Sequence, residues 1–467
     1  MTNRTIPMRR VRPASRAGFL GAFRFTSLMA DLIALIIGFT SSATVHFVGD
    51  LPISEVIVLA ILPIILAIHG RRVSQREFKI IFPLLALWLT GQVMSDIYRH
   101  TPTLDWIRGD ASIIFFGVDL LGLAVLLQMN DRREIVFLVG TAVGSIFFTF
   151  INPSDSALAQ PWKFGYSTGI ISLTLLISSY FYARHRYILS SLLILGVAGV
   201  NLLENYRSPV GMLLLVVFLI FPIFPEKVGK LTILSTNRRS VRIAVLLVLA
   251  LGAVWVATRL VDYVTSAGLI SEKAKEKNEA EKKGGALLGG RPEIQISLLA
   301  VAESPIIGHG SWSKDPKYVE MLFDLNVEHE VFDSTQLQEL SSDLIPTHSH
   351  LMGAWVWAGI LGAVFWLYLF WLVFKSIVWI SMSRPQLAPM YLYLVLGLAW
   401  GILFSPFGLN VRMGDAVVIV IAVDLLRSAS QGEQAYSFRR TQTRRWNSHS
   451  SRARLYFRGG RKSPSSL

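Results

Sequence analysis

Cysteine is absent from all 467 residues. That excludes a disulfide framework, a thiolate nucleophile and any thiolate metal site. Charge is scarce as well. Only 16% of residues are charged, against about a quarter in soluble globular domains. Several motifs are also missing. No GxxxxGK[ST] loop is present, so ATP-driven transport within this chain is not expected. No HExxH occurs, and Glu328-His329-Glu330 has the wrong spacing for that zinc site. No DxD pair stands ready to hold the metal of a nucleotide sugar. No internal repeat is visible.

In place of these features the chain has long apolar runs. Hydrophobic residues make up 52% of it, and the mean hydropathy is +0.49. A bilayer core takes about 20 apolar residues per helix, and runs of that order cover 26–48, 52–69, 79–97, 111–129, 134–152, 166–183, 187–203, 209–225, 242–262, 349–374, 389–407 and 413–427. The expected fold is therefore an all-α integral membrane protein of about twelve transmembrane helices, with a large loop between the ninth and tenth. The first run, from Phe25 to Val48, is too long and lacks a clear small-residue site for a cleaved signal peptide.

The net charge of +14 would suggest a nucleic-acid partner in a soluble protein. Here its distribution points instead to topology. With the N-terminus inside, the inner segments hold 31 Lys and Arg, against five in the short outer loops: Arg99, Arg108, Lys163, Arg207 and Arg412. Such a bias places both termini in the cytoplasm and the long loop outside. The expected parts are a basic cytoplasmic segment over 1–25, nine helices over 26–262, a loop over 263–348, three helices over 349–427 and a basic tail over 428–467. That Arg- and Ser-rich tail reads as disordered and drawn to anionic lipid.

The long loop opens with SEKAKEKNEAEKK, an alternating-charge run suited to an exposed helix. GGALLGGRPEIQISLLAVAESPIIGHG follows. Its apolar positions Ile294, Leu298, Leu299 and Val301 predict an amphipathic helix over about 292–303, then a turn at Pro305. The loop closes on THSH, residues 347–350, which lead directly into the tenth run.

Three arginines on the outer side run against the topological bias. Arg207 lies in the turn ENYRSP, Arg291 follows a glycine pair, and Arg412 follows Asn410. Converging guanidinium groups would clamp a phosphate or diphosphate through their planar donors. Alternatively, each pairs with a neighbouring carboxylate such as Glu204 or Asp415, or with lipid headgroups. His348 and His350 stand where the loop meets the membrane. A histidine there suits a general base acting on a hydroxyl, or a structural ring bonded to the loop backbone. Among intramembrane carboxylates, Asp31, Asp119 and Asp424 fall inside runs and Glu55 nearer an end. Such groups face a bundle interior and serve as relay sites or as structural partners.

GGR, then PIIGHG about sixteen residues on, then THSHLMGAWVWAGILG opening a helix form an ordered set. This set resembles the O-antigen ligase and Wzy-type polymerase superfamily, as does a long loop between the ninth and tenth spans. The motif-level likeness covers about 291–362 and the turn at Arg207. The resemblance implies a periplasmic glycan transferase. It would move a glycan from an undecaprenyl-diphosphate-linked donor to an acceptor hydroxyl, on lipid A-core or on a growing polysaccharide, with neither nucleotide, metal nor other cofactor. It further implies that Arg207, Arg291 and His348 are the catalytic residues. Gly308 and Gly310 match the family's PxxGxG turn and, with His350 and Arg412, are expected at the substrate. Departures are Tyr206 where a small hydroxyl residue often precedes the arginine, Gln295 in place of a frequent Trp, and Ser349 in place of a frequent Asn. A transporter or flippase for a lipid-linked or anionic substrate, with Asp119 as its best residue, is the alternative. A non-catalytic scaffold is the third reading. The expected partners are the lipid-linked donor, the acceptor and membrane lipids, with no nucleic acid.

Overall fold

The computed structural model describes residues 16–46, 50–69, 77–127, 130–220, 239–272, 275, 278, 292–328 and 343–428. Apolar runs become helices because a backbone withdrawn from water must hydrogen-bond within its own segment. The elements are α1 (Arg16–Thr40), a hairpin of β1 (Thr44–His46) and β2 (Asp50–Pro52), α2 (Ile53–His69), α3 (Phe78–Arg99), α4 (Thr103–Leu127) and α5 (Asp131–Ile151). They continue as the short α6 (Asp155–Ala159), a π-turn over Trp162–Tyr166, α7 (Ser167–Ala183), α8 (Tyr187–Leu203), α9 (Arg207–Ile220) and α10 (Arg239–Ser266). The loop region carries α11 (Pro292–Glu303) and α12 (Pro316–Glu328), and the chain returns through α13 (His350–Ala358), α14 (Ile360–Ser383), α15 (Ala388–Phe404) and α16 over 409–428. The antiparallel hairpin, with Val45 opposite Leu51, is the only sheet among the described residues.

Among the described residues, five segments are long and apolar enough to cross a membrane: Phe78–Arg99, Thr103–Leu127, Asp131–Ile151, Trp162–Ala183 and Ile360–Ser383. Shorter apolar helices lie at Ser27–Thr40, Ile53–Ala67, Tyr187–Leu203, Arg207–Ile220 and Ala388–Phe404. The amphipathic helix expected over 292–303 is α11, with Pro292 as its first residue, where the missing N–H costs nothing. α12 was not foreseen. The charged run over 271–283, the basic tail beyond 428 and Arg291 lie largely or wholly outside the described residues.

One expected span differs in kind. The run 349–374 is broken at Gly359, which sits at φ 65 and separates α13 from α14. The break is built jointly with the loop. Ile360 N donates to Ile306 O at 3.2 Å, while His309 N and Gly310 N donate to Val356 O and Trp357 O at 2.7 and 3.1 Å. The end of α13 and the PIIGHG turn therefore satisfy each other's backbone groups. Trp355 Nε1 adds a bond to Pro305 O at 2.9 Å.

α3 grips the same turn from its other side. Asp96 Oδ1 accepts from Ser311 N at 2.6 Å, and its Oδ2 accepts from the Ser311 hydroxyl at 2.7 Å. Arg99 donates from Nε to Gly308 O at 2.9 Å and from Nη2 to the Ser304 hydroxyl at 2.7 Å. Gln92 Nε2 donates to Ser311 Oγ at 2.7 Å, and the Ser95 hydroxyl donates to Ile307 O. The loop helices hold each other through Glu303, whose Oε2 accepts from Lys317 Nζ at 2.8 Å and from Tyr318 OH at 2.6 Å. Those two hydrogen bonds and the Lys317 charge hold the Glu303 carboxyl down at about 2.

Beneath the turn lies a buried aromatic cluster. Trp88 of α3, Phe116 of α4, Phe365 and Trp366 of α14, and Phe407 meet with ring centroids 5.2–6.1 Å apart. These rings join three helices and the segment before α16 into one core.

Two outcomes are expected. Gly308 has φ 84, and a Cβ there would lie 2.7–2.8 Å from backbone atoms of Val356, Trp357 and Gly359. Gly308→Ala therefore undocks the loop from α13, at a cost of about 2 kcal/mol or more, read as faster proteolysis of 292–328 in intact membranes. Glu303 is depressed in the fold, so its contribution is complete above its ordinary 4.5 and is lost as pH falls from there to about 2. Hydrogen exchange of α12, corrected for intrinsic rates, speeds up across that window, and Glu303→Gln abolishes the pH dependence.

Candidate active site

The segment Thr347-His348-Ser349 leads into α13, and Ser349 itself is extended at φ −157 and ψ 138. Ser349 is the N-cap of α13: its hydroxyl accepts from Met352 N at 3.1 Å and donates to Ile402 O of α15 at 2.7 Å. Ser349 is buried against α15, and His348 beside it is half-buried.

His350 lies deeper and is 1% exposed. Its ring packs 4.9 Å from Trp366 and 5.6 Å from Phe407, centroid to centroid. Nε2 stands 3.1 Å from Asp415 Oδ2 of α16. That is ion-pair distance, though the two atoms lack the alignment of a hydrogen bond. The ring is sealed by protein on every described side, so it supports the site from below and does not line it.

Arg412 precedes Asp415 by three residues and is also buried. Nε and Nη2 donate to Glu55 Oε1 and Oε2, both at 2.8 Å, and Nη1 donates to the Ser112 hydroxyl at 3.2 Å. This fork-on-fork pair joins the start of α16 to the start of α2. Of the two readings of Arg412, carboxylate pairing is the one observed, with Glu55 as partner in place of Glu204 or Asp415. Asp119 lies on α4 two turns beyond Ser112, about 10 Å deeper by helical rise. It is fully buried, and among the described residues neither carboxylate oxygen has a hydrogen-bond partner. The charges that act on it are Glu55 and Arg412.

Arg207 opens α9 and is half-buried. Its turn is anchored by Asn201, whose backbone oxygen accepts from Tyr206 N at 2.8 Å and whose Oδ1 accepts from Trp162 Nε1 at 3.1 Å. The π-turn before α7 thereby holds the Arg207 turn, and Asn205 at φ 53 lets the chain reverse there. Arg291 lies outside the described residues; the next residue, Pro292, is buried at the head of α11. Gly308 and Gly310 adopt φ 84 and 86 and serve the turn itself, where backbone crowds Gly308 and the side chains of Thr101 and Asp96 crowd Gly310.

The structure thus brings His348, His350 and Arg412 to one end of the bundle, through α13, α15 and α16. It places Gly308 and Gly310 at the far end of α13, about 12 Å along its axis. Sequence reasoning missed two residues that hold the two ends of α13 in place, Asp96 at the PIIGHG turn and Asp415 beside His350. Asp96 is a carboxylate in the last turn of an apolar run, and that position was its available signal. Asp415 entered only as a possible partner of Arg412. At the other end of the bundle Asp31 lies 3.2 and 3.3 Å from Arg132 and Arg133, which gives that intramembrane carboxylate a structural partner.

Compared with known proteins, the chain matches no family model and no curated protein sequence.

Glu55→Gln leaves the Arg412 guanidinium buried beside a neutral amide. The expected cost is about 3–5 kcal/mol, read as a lower melting temperature in detergent. Replacing both, as in Glu55→Met with Arg412→Leu, recovers most of that loss, because no uncompensated charge remains.

Proposed function

We propose that the chain is a twelve-span membrane glycosyltransferase of the O-antigen ligase or polysaccharide polymerase kind. In this reading both termini are cytoplasmic, and α11, α12 and the Arg207, His348 and Arg412 turns face the periplasm of a bacterial inner membrane. The donor is a glycan on undecaprenyl diphosphate, and the acceptor is a hydroxyl of lipid A-core or of a growing polysaccharide. What carries the proposal is the ordered set GGR, PIIGHG and THSH. Its last two members hold the two ends of α13: the PIIGHG turn bonds to the helix's C-terminal end, and THSH caps its start through Ser349, next to the half-buried His348.

The chemistry follows from those positions. His348 takes the proton of the acceptor hydroxyl as its oxygen forms a bond to the anomeric carbon. The bond from that carbon to the diphosphate breaks, and undecaprenyl diphosphate leaves with the electron pair. Arg207 and Arg291 meet the charge that builds on the departing phosphate. Arg412 is committed to Glu55 and shapes the floor of the site. Gly308 and Gly310 hold the turn, and His350 holds the segment that bears His348.

A second reading, a transporter of a lipid-linked or anionic substrate, draws support from Asp119, a buried carboxylate with no hydrogen-bond partner among the described residues. Purified full-length protein in nanodiscs, given an undecaprenyl-diphosphate-linked oligosaccharide with and without lipid A-core, separates the readings. Longer glycans on the carrier mean a polymerase, and transfer that requires lipid A-core means a ligase. No transfer from folded protein overturns the enzyme and leaves the transporter. In the same assay His348→Ala lowers turnover by about 100-fold or more with membrane insertion intact. Arg291→Lys also fails, because a point charge cannot replace a bidentate fork.

A further inference from the structure

His350 is buried and titratable, and the transfer chemistry above has no direct use for it. Its surroundings are almost entirely apolar: Trp366 tilted against it, Phe407 edge-on, and Gly401 so close that a Cβ there would fall 2.7 Å from Nε2 and 3.2 Å from Cε1. A Phe or Leu would fill such a cage without the cost of burying a polar ring. Nδ1 has no hydrogen-bond partner among the described residues. The ring's polar neighbour is the Asp415 carboxylate, 3.1 Å from Nε2. Asp415 itself keeps 13% of its side chain exposed, so the pair runs from the rim of the site into the core. Arg412, one turn earlier on the same face of α16, is occupied by Glu55.

We propose that Asp415 is a positioning residue for His348, acting through His350. Two anchors fix the segment that carries His348. One is Ser349, bonded to Ile402 O of α15. The other is His350, whose ring would turn within its cage but for the carboxylate that draws Nε2 toward α16. Together they define where the backbone of residue 348 lies. This role parallels that of a carboxylate that orients a ligating histidine, where loss costs about 10–100-fold in function. Its catalytic meaning rests on the transferase reading, whereas the geometric claim stands without it.

The chain has no cysteine, so His348→Cys creates a protein with a single thiol. Its labelling rate with a membrane-impermeant maleimide in proteoliposomes reports how firmly position 348 is held. Adding D415N, which keeps the side-chain volume and removes the charge, is expected to raise that rate about fivefold. Adding D415E is expected to hold it within about twofold of the parent. Gly401→Ala, which pushes the ring from the opposite side, reproduces D415N. His350→Gln serves as the independent variant where D415N fails to fold. A D415N or His350→Gln rate within about twofold of the parent overturns the proposal. In protein that retains His348, D415N lowers kcat about tenfold and leaves KM unchanged, and an unchanged kcat counts against the role. If the unaltered protein transfers no glycan, the transferase reading falls, while the labelling result still decides whether Asp415 orders residue 348.

Discussion

An apolar helix can be interrupted only where something else takes up the freed backbone groups, and this constraint governs the loop-bearing end of the molecule. α13 ends at Gly359, and the exposed carbonyls of Val356 and Trp357 are met by His309 N and Gly310 N. The turn that supplies those donors is itself bent by two left-handed glycines and pinned by Asp96 and Arg99 of α3. Each of these pieces satisfies backbone groups of another. The π-turn at Trp162–Tyr166 follows the same rule on a smaller scale, for its indole reaches across to Asn201 and steadies the turn before Arg207. Breaks in the helices thus lie close to the candidate site residues.

Much of the helical layout was legible because length and apolarity are local properties. The boundaries of α2, α7 and α8 fall within a residue of the expected runs, and Pro292 marked the start of α11. Departures arose where a long-range contact decided the outcome. A continuous tenth span was expected because WVWAGILGAVF is uniformly apolar; only the docking of Ile306 and Gly308 shows why Gly359 turns the chain. α4 begins at Thr103, well before its apolar run, because Asp105, Arg108 and Asp110 extend the helix outward with polar residues. α12 has too mixed a surface to stand out by hydropathy.

The candidate site was legible in its residue types and illegible in its pairings. Arg412 was marked as an oddly placed cation, and so it is, yet its partner lies 357 residues away in the chain. His348 and His350 were singled out together. His350 is sealed in the core and His348 is only half-buried, one on each side of the helix cap at Ser349. Spacing of two is ambiguous between a strand and a helix start, and the cap decides. Asp415 gains its importance from His350 and would be ordinary without it.

The clasp between Glu55 and Arg412 has a bearing on biogenesis. Glu55 sits in the first turn of the second helix, and its counter-ion belongs to the last. At about 5–20 residues per second, the ribosome delivers the arginine roughly 20–70 s after the glutamate. Through nearly the whole of synthesis α2 carries at its head an acid without its counter-ion, which either stays where water or a polar surface reaches it or takes up a proton. The ion-paired seating of α2 against α16 is complete only once Arg412 has arrived.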